Sequence, residues 1–191
     1  MTETSDEPFP TFRTARLTLR PRTLADLDAC VALNHDPLVT QFIPGPWADP
    51  IAHRAFVEER IRHAYPPGMG YWCLFAPAGF IGWVFVAPED LHGPEIEIGW
   101  RLVRAAWGHG YATEAARGLL RWAFDMLDLN RVQAETDTRN VASARVLEKL
   151  GFVREGTLRE DCIVNGEVSD SWVYGLIRRE WRPASEPVPA S

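Results

Sequence analysis

Residues Glu95 to Arg117, EIEIGWRLVRAAWGHGYATEAAR, pass from an alternating strand pattern through a glycine-bearing turn into an amphipathic helix. That order constrains the fold more than any other stretch. Glu95, Glu97 and Gly99 alternate with Ile96, Ile98 and Trp100, the period of a half-buried strand. Ala112, Ala115, Ala116, Leu119, Leu120, Ala123, Phe124 and Leu127 recur at three- and four-residue steps, which predicts one helix with one core face. Between them, Gly108 and Gly110 leave amides uncovered by side chains. The helix opening near Tyr111 adds unpaired N–H groups and about half a positive charge. A junction of this kind holds the phosphate of an anionic cofactor.

Two phosphate motifs are excluded. A P-loop needs Gly-Lys-Ser/Thr, whereas Tyr111 and Ala112 follow Gly110; the dinucleotide fingerprint needs a third glycine at position 113, which is Thr113. Neither a nucleoside triphosphate nor NAD is indicated.

The remaining pattern extends an α/β reading. Arg131–Thr136 reads as a strand and Asn140–Leu150 as a helix, with Asn140 as N-cap, Gly151 as left-handed stop and a new strand from Phe152. Arg16–Pro21 reads as a strand that points Leu17 and Leu19 inward. Thr23 with Asp26, and Asp49 with Pro50, open two helices. Tyr71–Phe75 and Phe80–Val86 read as a hairpin. With 191 residues and 46% hydrophobic content the chain can bury one core, so a single domain is expected over 11–182, between mobile tails at 1–10 and 183–191.

No apolar run is long enough for a bilayer and no leader pattern precedes the first strand, so a cytoplasmic protein without membrane contact is expected. The net charge of −6 disfavours a general nucleic-acid binder and mildly favours a cationic partner. Cys30, Cys73 and Cys162 are odd in number and far apart in sequence, which argues against a disulfide framework or a zinc knuckle; no metal is expected.

Trp107–Ala115 (WGHGYATEA), Asn140–Ser143 (N-x-x-S) and Glu148–Phe152 (EKLGF) together resemble the GNAT superfamily of acyl-CoA-dependent N-acyltransferases. Thr14–Pro21 (TARLTLRP) and Asn165–Leu176 (NGEVSDSWVYGL) look like its RimJ/RimL branch. The resemblance implies a mixed, mostly antiparallel twisted sheet with helices on both faces, and two parallel central strands splayed to admit the pantetheine arm. It implies transfer of acetyl from acetyl-CoA to a primary amine by direct attack in a ternary complex. The alternative is a catalytically reduced CoA-binding sensor or partner-binding module. A homodimer is left open.

By this resemblance Gly108, His109, Gly110, Tyr111, Ala112 and Thr113 cradle the pyrophosphate, and the backbone of Trp100, Leu102 and Val103 meets the pantetheine, as does Asn140. An amide near Gly99 or Trp100 would face the tetrahedral oxyanion. Gly99 reads equally as a bulge, which serves both readings. The position of the basic residue that usually opens the cradle motif falls on Ala105; Arg104, adjacent and out of register, is the cofactor-binding candidate there.

An amine with a pKa near 10.4 is only about one part in a few thousand neutral at pH 7, and one near 8 roughly a tenth, so a base matters. Glu97 is the candidate, with a structural carboxylate as its competing reading. The tyrosine that often protonates the leaving thiolate in this superfamily is replaced by Leu147; Ser143, one turn earlier, is the substitute, and reads equally as a capping serine. The acceptor is expected among residues 34–47, 64–71 and 161–170, where aromatic residues mix with Asp36, Asp49, Asp161 and Asp170. That chemistry suits a peptide N-terminus, amino acid, polyamine or aminosugar.

Overall fold

The computed structural model describes residues 10–88 and 95–183. The two expected tails lie, but for Pro10 and Pro183, outside the described residues. Among the described residues eight strands form one sheet: β1 (Phe12–Arg13), β2 (Thr18–Pro21), β3 (Gly70–Ala76), β4 (Gly79–Pro88), β5 (Ile96–Leu102), β6 (Arg131–Asp137), β7 (Val153–Val164) and β8 (Glu167–Ile177). Their order is β1-β2-β3-β4-β5-β6-β8-β7, and every neighbour is antiparallel except β5 and β6. Parallel neighbours need a crossover, which the helix after β5 supplies.

The alternation of Leu17 and Leu19 holds, at 3% and 0% exposed. The β3–β4 hairpin forms where expected, and β4 runs on to Pro88. Asp26 accepts from the Thr23 amide at 2.9 Å, and Asp49 accepts from Ile51 and Ala52, as their sequence positions predict. These caps start helix α1 (Leu27–Leu33), through a short 3-10 turn, and α3 (Pro50–Arg62); between them Asp36 caps the four-residue α2 (Pro37–Thr40). Helix α4 (Tyr111–Arg121) follows Gly110, and α5 (Val141–Leu150) follows Asn140.

The apolar stripe expected to run to Leu127 as one helix changes pitch on the way. After Arg121 the chain winds as a π-helical turn over Trp122–Met126, which keeps Ala123 and Phe124 buried. Gly99 is not a bulge. The β4–β5 register is continuous through Phe85↔Gly99, and the Phe85 ring lies where a Gly99 side chain would stand.

Each face of the sheet has its own core. Ile98, Leu119, Leu120, Phe124 and Leu147 pack α4 and α5 on one face; Leu27, Leu33, Val57 and Trp83 pack α1 and α3 on the other. Along β5, Ile98 and Trp100 thus face α4 and α5, while Glu97, Gly99 and Arg101 face α1 and α3.

Candidate active site

Strands β5 and β6 pair at one position, Glu97↔Gln133. Beyond it they part, and the gap opens into a cleft of about 310 Å³ lined on its edges by Gly99, Trp100, Glu135 and Thr136. On one side of the sheet the cleft reaches Asn140, Ser143 and Leu147 of α5; on the other it reaches Phe42–Pro44, Trp83, Phe85 and Arg101. It therefore crosses the sheet.

The cradle sits at the end of β5. Gly108 and Gly110 both have φ of 78°, a left-handed conformation that glycine adopts without strain. The first intrahelical bond of α4 runs from the Glu114 amide to Gly110 O at 3.0 Å, so the amides of Tyr111, Ala112 and Thr113 precede the ladder. His109 stacks on Tyr111 at 5.6 Å, and its Nδ1 lies 2.8 Å from Trp107 O. Arg104 points elsewhere, with Nε 3.4 Å from Asp36. Backbone groups of Leu102 and Val103 have internal partners: Leu102 O accepts from Trp107 Nε1, and the Val103 amide donates to Ile81 O.

Sequence reasoning missed Arg16 as a part of this cradle. Its Nη1 donates to His109 O at 2.9 Å, its guanidinium stacks on Tyr111, and its Nε donates to Glu114 at 2.7 Å. Burial pushes the Glu114 carboxyl up, but bonds from Thr14, the Arg16 amide and the Arg16 side chain hold it below the usual carboxylate range. The contact spans 98 residues of sequence, so no local pattern could signal it.

Of the two catalytic candidates, Glu97 lines the cleft where β5 and β6 part, and Ser143 lines it from the first turn of α5. Asn140 caps that turn, its Oδ1 accepting from the Ser143 amide at 3.1 Å. Leu147, one turn on and 1% exposed, gives the wall an apolar surface where a tyrosine would be polar. Glu135 is a further carboxylate on the cleft, legible in hindsight from its alternation with Gln133 and Asp137.

The expected acceptor regions divide. Phe42–Pro44, Asp161 and Cys162 line the cleft, placed there partly by the β7–β8 hairpin, where Arg159, Glu160 and Asp161 bulge opposite Asp170 alone. Asp36 and Asp49 are spent on helix caps, and Asp170 accepts from the Glu160 amide. Ala64, Tyr65 and Tyr71 line a separate cavity of about 220 Å³ with Arg22 and Arg60. Asp137 lines the cleft too, but as a clasp: it accepts from Arg139 at 2.8 Å and Ser169 at 2.5 Å. Burial raises its pKa, yet these bonds dominate and bring it down to about 2, too low for a base at neutral pH.

Among the described residues no three His, Cys, Asp or Glu side chains are grouped to hold a metal ion, and no helix is long and apolar enough to cross a membrane. Cys30, Cys73 and Cys162 are free thiols.

Residues 16–153 match the model of the acetyltransferase (GNAT) domain, and the chain belongs to that family. It is 31% identical over 196 residues to FsC-acetyl coenzyme A-N(2)-transacetylase of Aspergillus fumigatus, covering 93% of this chain and 80% of that protein. It is 30% identical to the N-acetyltransferase p20 of Bacillus licheniformis, covering 90% and 98%. The crystal structure of a GNAT-family acetyltransferase from Bacillus anthracis superposes with a TM-score of 0.76 at 25% identity, over 90% of this chain and all of that one. The protein is an acetyl-CoA-dependent N-acetyltransferase with a single GNAT-fold domain.

Proposed function

We propose that the protein transfers acetyl from acetyl-CoA to a primary amine by direct attack in a ternary complex, in the manner of the RimJ/RimL-like branch. One observation carries this reading: the cleft crosses the sheet, from Asn140 and Ser143 of the α5 side to Glu97 on the opposite face, with the glycine-rich start of α4 at the end of the same strand β5. The amides of Gly108 to Thr113, buttressed by Arg16, would hold the pyrophosphate, and the pantetheine would lie in the gap beside Trp100 and Asn140. The main-chain groups of Leu102 and Val103 that are already bonded within the fold contribute less.

The amine would enter from the side of Phe42–Pro44 and give its proton to Glu97, directly or through water. Its nitrogen then attacks the thioester carbon, an amide near Gly99 or Trp100 meets the oxyanion, and the C–S bond breaks. The acylated nitrogen sheds its extra proton to solvent, and the leaving thiolate takes one from solvent, directly or relayed through Ser143, since a thiol pKa near 8.5 makes the donor helpful but not essential. The N(2) acceptor in one relative's name agrees with an amino group as nucleophile. The reading extends to a cytoplasmic protein whose partners are acetyl-CoA and the amine.

Thiol release from acetyl-CoA, measured with a panel of primary amines, tests it. Amine-dependent release is expected. If acetyl-CoA binds but no amine releases thiol, a binding module replaces the transferase.

A further inference from the structure

GNAT chemistry asks only for an amine, and one side chain of the cleft does not serve an amine. Arg101 lines the acceptor side and is 8% exposed. Its Nη1 donates to Asn34 Oδ1 at 2.6 Å, and its guanidinium carbon lies 5.0 Å from the ring centroids of both Trp47 and Trp83. Because Asn34 Oδ1 accepts, Asn34 Nδ2 donates to His53 Nε2 at 3.0 Å, and that acceptor must be a neutral imidazole. Burial, followed by the neighbouring His35 and Arg101, pushes the His53 pKa down and keeps it so.

Three neutral contacts thus fix the guanidinium in place, and none cancels its charge. No ion pair to a carboxylate joins it among the described residues; burial is the largest influence and lowers its pKa to about 10, Tyr71 opposes that fall, and Arg22 and Arg60, of its own sign, add to it. Its Nε is buried without a partner. A guanidinium does not lose its proton at neutral pH, and a buried charge without a counterion is costly to the fold. An anion in the cleft would offset that cost, and a guanidinium is the planar donor group that suits a carboxylate.

The cleft is polarised accordingly. Glu97, Glu135 and Asp161 line it where an amine would react, and Arg101 stands four residues beyond Glu97 on the same face of β5, about 13 Å along the strand. Phe85 and Ile43 supply apolar surface on the same cleft. We propose that Arg101 is a specificity-determining residue that binds the carboxylate of the acceptor, so the acceptor is an amine that also carries a carboxylate, of the amino-acid class and not the polyamine class.

This inference rests on the transferase reading, and its test separates the two. Amino acids and their decarboxylated amines are compared as matched pairs by thiol release. The wild type is expected to favour the carboxylated member at least a hundredfold in kcat/KM for the pairs it uses. In Arg101→Met that ratio falls to about one, and in Arg101→Lys, which keeps the charge but not the planar donor group, it lies between. A wild-type ratio of one or less, in an enzyme that does turn over amines, overturns the proposal and leaves the transferase intact. Preference for a phosphorylated amine over every amino acid overturns the carboxylate as well.

The same pairs are also read by melting temperature with CoA bound. A shift given by the carboxylated member to the wild type and lost in Arg101→Met supports the proposal without turnover; equal or absent shifts overturn it. If Arg101→Met fails to fold, Arg101→Lys gives the same two readouts, and an unchanged wild-type preference in it overturns the proposal.

Discussion

At the proposed cofactor cradle the chain presents backbone: two left-handed glycines and the first amides of α4, all within six consecutive residues. On the acceptor side it presents side chains gathered from α1, α3, the loops around α2, and strands β4 and β5, with Asn34, His53, Trp47, Trp83 and Arg101 in one contact chain. A phosphate is the same in every acyl-CoA, so its site can be made from groups that every residue owns. An acceptor differs from enzyme to enzyme, and only side chains can follow it.

The sharpest way to break this contrast is at Gly110. Gly110→Val forces a branched residue into a φ of 78° where the proposed site would receive the pyrophosphate. Acetyl-CoA at a hundred times its dissociation constant should stabilise the wild type by about 2.7 kcal/mol in a melting experiment. The folded variant should lose that shift entirely at the same concentration, and retention of it would mean that the backbone cradle does not hold the cofactor.

Next in size is Glu97→Gln. It should lower kcat roughly a hundredfold near neutral pH, with the deficit shrinking as pH rises towards the amine's own pKa and free base becomes abundant. Cofactor affinity should stay near normal, because Glu97 lies on the face opposite α4. A pH–rate profile identical to that of the wild type would return Glu97 to a structural role and move attention to Glu135.

The smallest effect concerns the clasp between β6 and the hairpin. The Asp137 pKa is depressed when folded, so its contribution is complete above the unfolded value near 4 and is lost as pH falls through about 2. At pH 7 Asp137→Asn should cost about 2 kcal/mol by denaturant unfolding, the difference shrinking between pH 4 and pH 2. A cost that does not change with pH would trace to packing and not to charge.

The contrast between the two sides also explains what could be read from sequence. Strand alternation, the caps at Asp26, Asp49 and Asn140, the stop at Gly151 and the cradle all depend on neighbours a few residues apart, and each leaves a local pattern. Arg16 against Glu114 and Arg101 against Asn34 join residues 98 and 67 positions apart, and single arginines in a strand or loop carry no mark of their partner. Gly99 was ambiguous for a related reason: its need for a missing side chain comes from Phe85 on the next strand. The π turn after Arg121 escaped because a shift of pitch barely alters the spacing of apolar residues over one turn.

The single β5–β6 pairing has a mechanical meaning. The sheet is two rafts, β1 to β5 and β6 to β8, moored at Glu97 and Gln133 and otherwise bridged by helices. Amide exchange should then invert the usual order of a folded sheet. Hydrogens at its geometric centre, on the inner edges of β5 and β6 past the mooring, should exchange before those of the β3–β4 pair, and slow down when a bound pantetheine fills the seam.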